Sequence, residues 1–282
     1  MPGDNFKIGV MAPASRIDRT IAKRVEDIAV GLYPDRSIDI YFHPQCFLAF
    51  GHFAGDDAAR TQAFLDIAND GSFDALWFAR GGYGSCRIAE TSIAQLSAVA
   101  RSKVYLGYSD TGSLLAGLHK EGFPELAHGP MPSDILRAGG EAAVKRGLAY
   151  LIDRLPDALE GSVSGETQTA AFNMAVLGQL LGTPLQPNLT DHVLMLEETA
   201  EHMYRIDRSL FHITSNPGIR RVTGIMLGRC SDIPSNDPEF GQTEEETTRH
   251  WCAASGIPYL GRADIGHDIH NKVVPLGRPR PA

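Results

Sequence analysis

Through the first half of the chain, short apolar runs alternate with longer stretches whose apolar residues recur at helical spacing. FKIGVMAP (6–13) and IDIYFHP (38–44) read as strands. FDALWFA (73–79) and KVYLG (103–107) are continuous apolar runs, as expected of strands buried on both faces. Helical spacing or composition covers 17–32 and 54–68, a leucine-rich helix follows Gly107, and one more helix is predicted over 139–152. Strands and helices alternating at this interval predict a parallel sheet covered by helices. Ligands of such sheets bind beyond the carboxyl ends of the strands. Two glycine-bearing loops fall there: ARGGYGS after 73–79, and GYSDTG after 103–107.

The pattern then changes. DRLPDALEGSVSGETQTA is polar and lacks helical periodicity, which puts a domain boundary near 155–161 and predicts units over 1–154 and 162–282. The second half mixes strands (192–196, 223–227) with helices (173–181, 204–214, 243–254) and ends in KVVPLGRPRPA, a strand with a proline-rich tail.

Composition narrows the function classes. The 282 residues, 43% hydrophobic and 21% charged, suit one large or two ordinary soluble domains. No apolar run is long enough to span a membrane, and MPGDNFKIGVMAP lacks the basic and apolar regions of a signal peptide. A net charge of -8 argues against broad nucleic-acid binding. The four cysteines form no CxxC pair, so neither a zinc knuckle nor a disulfide framework is expected, and a reducing cytoplasm is the default setting.

The candidate chemistry starts at Ser109, at the hinge between a buried strand and a helix. A serine there can simply cap the helix. It can also be a nucleophile on a tight turn, with the N–H of Asp110 facing a developing oxyanion. In RGGYG, the paired glycines Gly81 and Gly82 allow close backbone approach to a ligand and can supply a second oxyanion N–H. Arg80 can grip a substrate carboxylate with its planar fork, or be an ordinary solvated arginine. A base and an orienting acid are also needed. Among ten histidines, His43, His52, His128, His267 and His270 lie in loops or beside apolar runs. A three-residue gap between His267 and His270 is weak evidence for a metal, and no HExxH is present. Glu197 and Glu198, consecutive at a strand end, should point to opposite faces, with Glu201 beyond them.

These stretches resemble the LD-carboxypeptidases, or muramoyltetrapeptide carboxypeptidases, serine peptidases of peptidoglycan recycling. IGVMAPAS, FAGDDAAR, ARGGYGSCRI, GYSDTGSLLAGLH, HGPM, LLGTP, VLMLEE with YRIDR, and ADIGH follow the family's order and spacing over nearly the whole chain. The resemblance implies a nucleophile at Ser109, an acid at Glu197 and a base at His267. It also implies an oxyanion hole from the N–H of Asp110 and one from the Gly81–Gly82 loop, taken as Gly82. Arg80 and Gly81 are placed toward the substrate only by their position at that loop, not by the resemblance. Two departures are visible: Ala171-Phe172-Asn173 replaces Gly-Gly-Asn, and Glu197-Glu198 replaces Glu-Asp.

Pattern and resemblance together predict a Rossmann-like N-terminal domain and a smaller C-terminal α/β domain with a mixed, barrel-like sheet. The implied function is removal of the terminal D-Ala from murein tetrapeptides through an acyl-enzyme, by a cytoplasmic homodimer with no metal or cofactor and no nucleic-acid or membrane partner. One rival is the similar microcin self-immunity peptidases, which act on aminoacyl or peptidyl nucleotides. Their substrate calls for an aromatic platform, and neither Trp77 in a buried strand nor Trp251 in a helix is an obvious one. The other rival is a non-catalytic protein that binds wall fragments.

Overall fold

In a computed structural model, which describes residues 5–279, the apolar runs of the first half become strands β1 (Phe6–Met11), β2 (Ile38–Phe42), β3 (Ala75–Phe78) and β4 (Val104–Gly107). They form a sheet with β5 (Leu126–His128) and β10 (Val274–Pro275), in the order β10-β5-β4-β3-β1-β2. All pairings are parallel except β10 on β5. The order 2-1-3-4-5 is that of a doubly wound sheet. Every residue of β3 and β4 is buried, as their unbroken apolar sequences require. Helices α1 (Arg19–Leu32), α2 (Asp57–Ala68), α3 (Ser85–Ile93), α4 (Gly112–Lys120) and α5 (Glu141–Asp153) complete this part.

The second sheet has the order β6-β7-β8-β9: β6 (Gln168–Asn173), β7 (His192–Thr199), β8 (Gly224–Ser231) and β9 (Tyr259–Arg262). It differs from the expected mixed, barrel-like sheet. All its pairings are parallel and it is open among the described residues. The helices α6 (Met174–Leu180), α7 (Met203–Ser215) and α8 (Glu244–Ser255) each connect one strand to the next. Such crossovers impose parallel pairing, and four strands are too few to close a barrel. The start of β6 lies inside the polar stretch read as a linker. Its only apolar residues are Ala170 and Phe172 on one face and Ala171 on the other, too short a signal to stand out.

One core runs through both sheets' helices. Phe64, Phe78, Leu114 and Leu118 share a cluster with Phe172, Leu177 and Leu210. The helix α4 is buried from Gly112 to Leu118, which explains its apolar character on every side. Gly112 lets β6 come close: a Cβ there would lie 3.3 Å from Phe172 Cδ1 and 3.4 Å from Val176 Cγ1. The turn after β4 thereby packs against β6, and the chain between β9 and β10 runs from the second sheet to the first.

Candidate active site

The turn after β4 carries Ser109 with φ +60°, in the left-handed region that non-glycine residues rarely adopt. Such a turn lifts a side chain off the sheet, and Ser109 is half-buried between buried Tyr108 and Asp110. Gly107 makes the turn possible. A Cβ there would sit 2.6 Å from Thr111 Oγ1 and 2.8 Å from Phe78 Cδ2.

Asp110 ties this turn to the neighbouring loop. Its Oδ2 accepts from Ser85 N at 2.8 Å and its Oδ1 from Gly84 N at 3.3 Å, so its carboxylate caps α3 from outside. Buried Arg60 braces the same loop, donating through Nη1 to the carbonyls of Gly84 (2.8 Å) and Pro13. The backbone N–H of Asp110 lies in the first turn of the helical segment, where N–H groups lack intrahelical acceptors. A Cβ on Gly81 would sit 3.1 Å from Ser109 Oγ. Gly82 has φ +111°, and a Cβ there would collide with Ser15 Oγ at 2.4 Å. Gly81 is therefore demanded by close approach to Ser109, and Gly82 by its positive φ and by its approach to Ser15.

Three segments converge on Ser109. His267, in the chain between β9 and β10, places Nε2 2.9 Å from Ser109 Oγ and Nδ1 2.5 Å from Glu197 Oε2. Glu197 belongs to β7 and is fully buried. Burial pulls the His267 pKa down, but the charge of Glu197 and its hydrogen bond outweigh this, and the net shift is upward. The Tyr108 ring lies 4.9 Å from the His267 ring, and its hydroxyl donates to Asp134 Oδ1 at 2.7 Å.

The other nominated histidines have different neighbours. His128 is buried, its pKa pushed down to about 4 by desolvation, and its Nε2 lies 3.3 Å from Asn271 Oδ1. His43 lies 3.3 Å from Asp66, His52 lies 3.5 Å from Ser15 Oγ, and His270 is exposed. Arg80 is exposed and donates to Arg16 O at 3.1 Å; it is not among the residues lining the cavity at Ser109.

That cavity, about 460 Å³, is lined by Ser109, Asp110, Gly82 and Tyr83 on one side and by Asn173 and Glu198 on the other. Glu198, the acid expected on the opposite face from Glu197, is thus also buried and part of the site. It accepts from Asn173 Nδ2 (2.6 Å), Ala175 N (2.9 Å) and Thr199 N (2.9 Å). Desolvation raises its pKa to about 7 against those donors. A pairing irregularity between Leu196 and Glu198 accompanies this arrangement. Strand parity alone does not show that both faces at this strand end are covered. Tyr83, 51% exposed, was also missed. It stands in RGGYG between Gly82 and Gly84, and that position was the available signal.

Residues 8–129 match the model of the LD-carboxypeptidase N-terminal domain and residues 167–280 that of the C-terminal domain. A putative carboxypeptidase of Synechocystis sp. is 30% identical, covering 98% of this chain and 90% of its own. The murein tetrapeptide carboxypeptidase of Pseudomonas aeruginosa is 25% identical over 96% of this chain and 91% of its own. Among solved structures, a muramoyltetrapeptide carboxypeptidase from Oxalobacter formigenes shares the fold, with TM-score 0.78, 21% identity, and coverage of 96% and 92%. So does MccF in complex with glutamyl sulfamoyl guanosine, with TM-score 0.75, 16% identity, and coverage of 97% and 91%. Two domain models that together span most of the chain, and a 30% identical carboxypeptidase relative over nearly all of it, place this protein in the LD-carboxypeptidase family of hydrolases.

Proposed function

We propose that the protein is a serine LD-carboxypeptidase that removes the terminal D-Ala from murein tetrapeptides in peptidoglycan recycling. The observation that carries this reading is the continuous relay Ser109 Oγ, His267 Nε2, His267 Nδ1, Glu197 Oε2. Units 1–154 and 162–282 supply nucleophile and acid–base pair respectively. A cytoplasmic homodimer is the setting the family resemblance implies.

Ser109 Oγ attacks the carbonyl carbon between the third residue and D-Ala, and His267 Nε2 takes the hydroxyl proton. The N–H groups of Asp110 and Gly82 receive the oxyanion. The C–N bond then breaks, the proton on Nε2 passes to the leaving amine, and D-Ala departs. Water attacks the ester on Ser109, giving a proton to His267, which returns it to Ser109 Oγ as the tripeptide leaves. Glu197 holds His267 with its Nδ1 protonated and stabilises the imidazolium. Arg80 is the proposed ligand of the substrate carboxylate. A raised KM in Arg80→Ala supports that role, and an unchanged kcat/KM overturns it.

The test is mass spectrometry of a diaminopimelate-containing tetrapeptide incubated with wild type and Ser109→Ala. Loss of one alanine with wild type only supports reaction and nucleophile together. Loss with both overturns Ser109 as nucleophile. Loss with neither overturns the tetrapeptide reading. Tyr83 in the cavity wall favours one second reading, an aminoacyl nucleotide whose base stacks on that ring. Hydrolysis of such a compound in place of the tetrapeptide decides for it, and inertness toward both leaves a wall-fragment binder.

A further inference from the structure

His267 stands on a segment that belongs to neither sheet's strands. It leaves β9 in the second sheet and enters β10 in the first. A base on such a crossing must be held from both sides if Nε2 is to stay on Ser109 and Nδ1 on Glu197.

Two arginines reach the segment, one from each side. Arg229 extends from β8, and its backbone N–H donates to Ile265 O at 2.8 Å. Its guanidinium grips Asp268, the residue after His267, with two parallel bonds: Nε to Oδ2, and Nη2 to Oδ1 at 2.9 Å. Its Nη1 donates to Asp264 on the other side of His267. The contact is close enough that a Cβ on Gly266, the residue before His267, would lie 2.9 Å from Arg229 Cβ. Arg146 extends from α5, beside the first sheet. Its Nη1 donates to the carbonyls of Ile269 (2.9 Å) and Asn271 (3.0 Å). Asn271 in turn accepts from Gly266 N at 3.2 Å through Oδ1. Forked guanidinium bonds restrict orientation as well as distance, and small displacements of a catalytic group are costly in rate.

We propose that Arg229 and Arg146 are positioning residues of the active site, clamping the His267 segment between the two sheets so that the imidazole spans Ser109 and Glu197. The proposal rests on the reading of Ser109, His267 and Glu197 as a catalytic unit. Neither arginine touches the reacting atoms, so their loss should lower kcat and leave KM nearly alone. A role in stability only would lower the melting temperature and leave turnover of the folded enzyme intact.

The experiment uses full-length wild type, Arg229→Lys, Arg229→Ala and Arg146→Met. Steady-state kinetics on the tetrapeptide are measured together with the proton NMR resonance of His267 Nδ1–H. Arg229→Lys keeps charge and stem but loses the fork, so it decides the matter even where Arg229→Ala does not fold. The expected result is a kcat loss of roughly 10- to 100-fold, KM within about threefold, and a shifted or broadened Nδ1–H resonance. Added guanidinium, well below denaturing concentration, should restore part of kcat in Arg229→Ala. Wild-type kcat and an unmoved resonance in Arg229→Lys and Arg146→Met overturn the proposal. If wild type does not cleave the tetrapeptide, the substrate reading fails by itself. The resonance then decides the clamp: displacement supports it and persistence overturns it.

Discussion

Asp110 accepts a 2.8 Å hydrogen bond from the backbone N–H of Ser85, so the residue beside the nucleophile also caps the helix behind the glycine loop. Its backbone belongs to the serine turn and its carboxylate to the neighbouring loop. The two walls proposed for the oxyanion are therefore built as one piece.

Asp110→Ala should break that link. The expected cost is about 1–2 kcal/mol of stability for the lost cap, together with a fall in kcat as Gly81 and Gly82 loosen. Asp110→Asn, which keeps one acceptor oxygen, should fall between. Denaturant melts and tetrapeptide kinetics on the same preparations check both effects. Full kcat in Asp110→Ala contradicts the coupling.

Ser109 holds φ +60°, a conformation that penalises any side chain. Ser109→Ala and Ser109→Gly should both lose at least roughly 10⁴-fold in kcat. They should differ in stability, the glycine variant unfolding later by about 1 kcal/mol because it relieves the strain. Equal melting temperatures would show that the turn stores none.

Acid should switch off the proposed base. His267 must be neutral to accept the serine proton, and its pKa in the folded protein is raised by Glu197. The acid limb of kcat/KM should lie above the ordinary histidine value of about 6.5. Glu197→Gln removes the charge and leaves burial, so the limb should move to lower pH, with kcat reduced by roughly 10⁴-fold. For stability, a raised folded pKa means a contribution present below about 6.5 and lost as pH rises through the folded value. A limb that stays in place in Glu197→Gln tells against the pair.

Glu198 should leave its own mark on stability. Burial raises its pKa from 4.5 to about 7, so the folded state holds a proton that the unfolded state releases earlier. The associated stability is present below about 4.5 and is lost as pH rises toward about 7. Glu198→Gln, which cannot titrate, should flatten the melting temperature in that window, whatever its absolute stability. An unchanged slope would assign the pH dependence elsewhere.

The chain order of apolar runs was enough to read β1 to β4 and the helices α1 and α2, but not α3 between β3 and β4. The runs of β3 and β4 stood out because a strand buried on both faces cannot tolerate polar residues. The pattern also isolated Ser109 and the paired glycines, because a strand-to-helix turn under close approach admits few residue types. The family's motifs then pointed to Glu197 and His267. What local pattern could not show lies in contacts between distant segments. Those contacts are the parallel open second sheet, the burial of Glu198, the cap from Asp110 to α3, and the grip of Arg146 and Arg229 on the His267 segment. Periodicity reports which side of an element is apolar, whereas a polar side chain's role depends on which distant backbone or charge the packed helices bring within hydrogen-bond reach.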